Sequence, residues 1–94
     1  MDSGPPIELL ESTHTFPGVF QIKVIGSAAD DFEARVLEVA RTELATVGHL
    51  EHSVRTTPDG KHLSLTLDLN VQSAEQVRAI YAKIRDLAGL KFLL

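Results

Sequence analysis

Apolar and polar residues alternate along residues 18–26, and a period of two is typical of a half-buried β-strand. The apolar face of this segment consists of Phe20, Ile22 and Val24. Gln21 and Lys23 share the opposite face, and Gly26 ends the run. Lys23 is therefore expected to point away from the core, into solvent.

The same period is clearest in residues 62–70, where leucine and polar residues alternate without exception. The leucines that should point inward are Leu63, Leu65, Leu67 and Leu69. The polar residues that should point outward are His62, Ser64, Thr66, Asp68 and Asn70. Asp59-Gly60 precedes this strand and favours a tight turn, so residues 49–71 are predicted to form a β-hairpin.

A two-residue loop at Asp59-Gly60 fixes the register of the hairpin. The predicted pairs are Val54 with Leu65, Thr56 with Leu63, and Leu50 with Leu69. If Gly60 forms a bulge instead, the register slips by one residue. A last short strand is predicted at residues 90–94, with Leu90, Phe92 and Leu94 on one face and Lys91 and Leu93 on the other.

Two segments repeat apolar residues every three or four positions, which predicts amphipathic helices. The first lies within residues 27–48, with Asp30 and Glu33 as a capping box and Gly48 as the stop signal. Its apolar face is Phe32, Val36, Val39, Ala40 and Leu44.

The second helix is predicted within residues 73–89, where Ser73 and Gln76 form a capping box and Gly89 ends the helix. Its apolar stripe is Val77, Ile80, Tyr81, Ile84 and Leu87.

The element order β-α-β-β-α-β predicts an α+β fold of the ferredoxin-like type, a sandwich of one four-stranded antiparallel sheet and two helices on one face. Right-handed crossovers give the strand order 4-1-3-2. Lys23 then lies near the centre of the open sheet face, beside Ser64, Thr66 and Asp68. Residues 16–94 are interpreted as a single domain and residues 1–15 as a flexible tail. The apolar residues of the tail leave docking on the domain open as an alternative; they are Ile7, Leu9 and Leu10.

Four stretches of the chain carry a recognisable pattern: FPGVFQIKVIG (16–26), GKHLSLTLDLN (60–70), EQVRAIY (75–81) and LKFLL (90–94). Together they resemble the YbeD-like family of small uncharacterised bacterial proteins. The resemblance implies the same fold, which is often compared with ACT-type ligand-sensing domains, and supplies no catalytic residues. The chain departs from the family at His62, where similar members tend to carry an aromatic residue, and in the insertion STHT before Phe16.

Composition narrows the function classes. The formal charge of −4 argues against nucleic acid as a partner, and the lack of cysteine excludes disulfides and thiolate metal sites. No apolar run approaches the roughly 20 residues that span a bilayer, and the N-terminus does not read as a secretory signal. A cytoplasmic protein without membrane contact is expected.

The sequence lacks the residues for acyl-phosphate hydrolysis and RNA binding, which this fold supports elsewhere, and for a shared metal site. The loop GSAADD (26–31) has no arginine to hold an acyl phosphate. The outward positions of the central strands carry no aromatic residue on which an RNA base could stack. His52 is predicted to face inward while His49 and His62 face outward, so no shared metal site is expected. We expect no enzyme activity, no metal and no cofactor.

The acidic residues of the open sheet face and of the GSAADD turn are interpreted as structural residues and not as parts of a binding or catalytic site. Glu51 and Asp68 are predicted to lie opposite one another as a solvated pair, eased by Lys23 or Arg55. In ACT-like domains the turn after the first strand helps to hold a ligand, but here Asp30 and Asp31 are expected to cap the helix themselves.

The candidate binding residues are Lys23, Arg55, Ser64, Thr66, Asp68 and Lys91. They are predicted to form a shallow polar site for an anionic partner or ligand, while the alternative is that the charges only discourage aggregation of an open sheet. The function that this favours is a non-enzymatic regulatory or adaptor domain that binds a protein partner or a small metabolite. The alternative is an ACT-like homo-oligomeric sensor of amino acids, a homodimer whose edge strands 49–57 and 90–94 pair between subunits.

Overall fold

The computed structural model describes residues 4–45 and 50–94, which form three helices and four strands. In chain order these are α1 (Ile7–Thr13), β1 (Gly18–Ser27), α2 (Phe32–Leu44), β2 (His52–Thr56), β3 (His62–Val71), α3 (Ala74–Arg85) and β4 (Leu90–Leu93). The strands form one antiparallel sheet in the order β2-β3-β1-β4. The predicted ferredoxin-like fold and strand order are confirmed. Gly48 and His49, on which two of the predictions fall, lie outside the described residues.

The central strands β1 and β3 pair along their whole length and carry the core. Period-two alternation makes every apolar partner pair fall on the helix-covered face, as the sequence predicts. The buried side chains of the two strands are Phe20, Ile22, Val24, Leu63, Leu65, Leu67, Leu69 and Val71. The polar residues between them therefore form the opposite face of the sheet.

The hairpin of β2 and β3 has the predicted register, with Val54 opposite Leu65 and Thr56 opposite Leu63. The Asp59 carboxylate holds the turn, because it accepts hydrogen bonds from Thr57 Oγ1 at 2.6 Å and from the Lys61 amide at 3.0 Å. These hydrogen bonds, that of Thr57 first, lower the pKa of Asp59. The β2 ladder begins at His52, so the predicted Leu50–Leu69 pair lies beyond the strand.

Helix α3 begins as predicted, with Ser73 Oγ accepting from the Gln76 amide at 3.2 Å. The Gln76 side chain completes a variant of the capping box, since its Oε1 accepts from the Gln72 amide at 2.8 Å rather than from Ser73. The helix ends at Arg85, before Gly89. Its buried residues are Ala74, Val77, Ile80, Tyr81 and Ile84.

The predicted cap of α2 is wrong. Asp31 occupies the N-cap position, both Asp30 and Asp31 adopt left-handed backbone conformations, and no side chain caps the helix. An N-cap side chain reaches the first-turn amides from an extended backbone, which these two residues do not have. The turn is instead tied by the Phe32 amide, which donates to the Ala29 carbonyl at 3.3 Å.

The description of residues 1–15 as a flexible tail is corrected for residues 7–13, which form helix α1. Leu10 is only 2% exposed and belongs to the hydrophobic core, with Ile7 packed against that core. Helix α1 contacts α3. Ile7 and Leu10 are three positions apart and fall on one helix face, so they dock together, whereas Leu9 stays 52% exposed. The domain limit at residue 16 stays a prediction.

None of the helices in the described part of the chain combines the length and the apolar character needed to cross a bilayer.

Candidate functional site

The helices cover one face of the sheet, and the opposite face carries rows of outward-pointing residues, two of which contain candidate site residues. In each row, neighbours are cross-strand partners on β1, β3 and β2. The first row is Lys23, Thr66 and Ser53. The second row is Ile25, Ser64 and Arg55. The structure thus brings together four of the predicted site residues: Lys23, Arg55, Ser64 and Thr66.

These rows border a shallow groove of about 430 Å³, which we call the basic groove. Its lining residues are Lys23, Ser53, Val54, Arg55, Ser64 and Thr66. They contribute two cations, three hydroxyl groups and no carboxylate. Such a set can donate hydrogen bonds to an anion from several directions.

The row next to the basic groove is acidic. Asp68 lies opposite Gln21 on β1, whose Nε2 donates to Asp68 Oδ1 at 2.9 Å. The Asp68 amide donates to the Glu51 carbonyl at 3.0 Å, so these two residues are neighbours across the hairpin, as predicted. Asp68 therefore borders the basic groove at the end away from Arg55 and does not line it.

Strand β4 departs from the prediction because of a bulge. Ile25 pairs with Phe92, but Gly26 pairs with Leu90, so Lys91 is the extra residue between the two pairings. The extra residue reverses the alternation, and Leu90 and Phe92 lie on opposite faces. The prediction that they share a face is wrong.

The bulge also decides which apolar residues are on the open face. Leu93 pairs with buried Val24 and lies on the helix side, although the prediction put it on the same face as Lys91 of the candidate site. Leu94 exchanges two backbone hydrogen bonds with Lys23, of 3.1 and 2.8 Å, and so shares its face. Phe92 and Leu94 are 63% and 66% exposed. With Ile25 they form what we call the apolar band, beside the basic groove; Lys91 is exposed but does not line the groove.

Sequence reasoning missed Ser53, Phe92 and Leu94. The hairpin register could have found Ser53, since alternation puts it on the same face of β2 as Arg55. The segment LKFLL gives no such signal, because most of its residues are apolar and nothing in it marks the bulge.

The turn between β1 and α2 borders a second depression, of about 370 Å³. Asp30, Asp31 and Glu33 line it, together with apolar side chains. Arg35 Nε donates to the Asp30 carbonyl at 3.1 Å. Three acidic residues disfavour a carboxylate ligand here, although neither aspartate caps the helix as predicted.

The histidines that the structure describes are dispersed. His52 pairs with buried Leu67 on the helix side, whereas His62 pairs with Ser27 on the open side. His52 Nδ1 lies 2.6 Å from the Leu50 carbonyl, and its Nε2 lies 3.8 Å from the Glu33 carboxylate. Within residues 4–45 and 50–94, no three His, Cys, Asp or Glu side chains gather into a potential metal site.

Comparison with known proteins finds a family model described as "Protein of unknown function (DUF493)", which matches residues 11–94. A UPF0250 protein of Shewanella sediminis (strain HAW-EB3) is 33% identical over 87 residues, or 93% of this chain and 92% of the relative. The UPF0250 protein of Shewanella piezotolerans is 32% identical over the same share of both chains. The UPF0250 protein NE1487 of Nitrosomonas europaea is 29% identical over 76 residues, or 81% of this chain and 87% of the relative.

Proposed function

The chain belongs to the DUF493 family, whose description assigns no activity. From the geometry of the site we propose that the protein is a non-enzymatic adaptor or regulatory domain, which binds a protein partner through its open sheet face. The predicted resemblance to the YbeD-like family, to which the DUF493 match and the UPF0250 relatives correspond, is confirmed.

The observation that carries the proposal is the exposed apolar surface on this face. Phe92 and Leu94 of the apolar band are more than half exposed, and so is Val19, which lies at 64% on the same face of β1. No described helix covers them. Protein interfaces combine an apolar centre with a polar rim, and large apolar side chains grouped on one surface are a common mark of such sites.

The basic groove supports binding rather than turnover. Its hydroxyl groups belong to Ser53, Ser64 and Thr66, and no imidazole or carboxylate is among the lining residues. An activated hydroxyl nucleophile needs a base within hydrogen-bond reach of about 3 Å.

A capture experiment tests the proposal. We expect tagged protein with Phe92→Asp to recover at least about tenfold less of its partner from native lysate than the wild type, because the charge opposes burial of the apolar band. Leu9→Asp is the matched control, since Leu9 is 52% exposed on α1, and it should recover the wild-type amount. Circular dichroism verifies that both variants are folded. Equal recovery of the partner by the wild type and both variants would exclude the open face as the binding surface.

A second candidate, the ACT-like homo-oligomeric sensor of amino acids, is favoured by the edge strand β2. Residues 53–56 of this strand are exposed, so its outer backbone is accessible for pairing with a second copy. Light scattering that shows a strict monomer, with and without amino acids, excludes this candidate and leaves the first intact.

A further inference from the structure

We infer that the basic groove recognises an acidic segment of the protein partner, whose carboxylates lie between Lys23 and Arg55 while an apolar side chain of the same segment covers the apolar band. This inference rests on the proposed function of the open face and names the chemistry of the partner.

The distance between Lys23 and Arg55 leaves room for more than one carboxylate group between them. Lys23 and Arg55 stand on strands separated by β3 and are offset by one row, which puts their Cα atoms about 12 Å apart. Both side chains are long and can lean inward over Ser64 and Thr66. Acidic residues two positions apart in an extended segment are separated by about 7 Å, which fits between the two cations.

The floor of the groove offers hydrogen-bond donors. The hydroxyl groups of Ser53, Ser64 and Thr66 make no hydrogen bond to another residue in the described part of the chain. Lys23 and Arg55 take no part in the Lys83–Glu43 ion pair or in the contact between His52 and Glu33. Donors and cations are thus available to a ligand.

Charge complementarity selects an acidic occupant. The chain carries a formal charge of −4, yet the basic groove contains two cations and no acid. Asp68, which borders the groove at the end away from Arg55, repels an acidic segment there and favours its placement toward Arg55. A protein segment fits better than a free anion, because the groove is shallow and joins the apolar band, whereas small-molecule sites enclose most of their ligand.

Titration of the full ¹⁵N-labelled chain with acetyl-Glu-Glu-Glu-Phe-Leu-amide tests the inference. We expect the largest amide shifts at Lys23, Ser53, Arg55, Ser64 and Thr66. Lys23→Glu and Arg55→Glu should each weaken binding at least about fivefold, because each replaces a favourable charge with a repulsive one. Asp68→Asn should strengthen binding about twofold, since it removes a repulsive charge.

The control variant is Lys61→Glu at the tip of the hairpin, which makes the same change of charge and should alter affinity less than about twofold. Equal binding of a peptide with lysine in place of glutamate, shifts elsewhere on the protein, or no binding at all would overturn the inference. So would inorganic phosphate that reproduces the shifts when the peptide does not, because the groove would then hold a free anion.

Partner capture separates recognition of acidic residues by the basic groove from binding by the open face as a whole. If Lys23→Glu/Arg55→Glu captures as much partner as the wild type while Phe92→Asp loses it, acid recognition is wrong and the open face remains the binding surface.

Discussion

Gly26→Ala should lower the free energy of unfolding by about 3 kcal/mol or more. A Cβ atom at this position would collide with the ring of Phe32 and would lie 2.9 Å from the Gly89 carbonyl oxygen. Phe32 is fully buried, and the second contact is backbone, so neither neighbour can move away cheaply. Urea unfolding followed by circular dichroism measures the change.

The matched control is Gly60→Ala at the tip of the hairpin. Gly60 has a φ of +73° and nothing lies within 4 Å of an added Cβ, so only backbone strain remains. We expect a loss of about 1 kcal/mol there. A loss at Gly26 no larger than the loss at Gly60 would show that β1 does not approach Phe32 so closely.

Leu10→Ala should lower the free energy of unfolding by about 2–4 kcal/mol, since it empties a buried site between α1 and the body. Leu9→Ala is the control on the same helix, because its side chain is exposed, and should change stability by less than about 0.5 kcal/mol. The same urea experiment compares them. If the two substitutions have equal effects, α1 is not docked through Leu10.

The parts of the fold that could be predicted are those in which one physical rule acts alone. β3 alternates leucine with polar residues because one of its faces is buried and the other is exposed to solvent. Asp59-Gly60 fixes the register of the hairpin. These two facts alone predict that Thr66 and Arg55 lie on the same face of the sheet.

Elsewhere the sequence pattern was overridden by tertiary structure. Helix α1 is short and has Pro6 at its N-cap without a side-chain hydrogen bond, so packing of Leu10 rather than local propensity stabilises it. The left-handed Asp30 and Asp31 follow from the tight connection between β1 and α2. Alternation usually extends to the end of a strand, but the bulge at Lys91 breaks it.

The candidate site was predictable to the same extent. Lys23, Arg55, Ser64 and Thr66 lie where alternation puts them, since their strands are regular. Asp68 lies on the same face but outside the groove. Lys91 is on β4, which β1 separates from β3 and β2, and it does not line the groove. The apolar band could not be predicted because nothing in the sequence marks the bulge in β4.

The reaction of a single thiol with a maleimide is the most direct test that the groove face is open and binds. The chain has no cysteine, so Thr66→Cys introduces the only thiol. In the free folded protein we expect the Thr66→Cys thiol to react far faster than the thiol of Leu65→Cys, because residue 65 is buried under the helices. Saturating acidic peptide should slow the reaction of Thr66→Cys. The reaction rate of Lys61→Cys should not change when the peptide is added. A Thr66→Cys thiol as protected as Leu65→Cys, or unaffected by the peptide, would contradict the account.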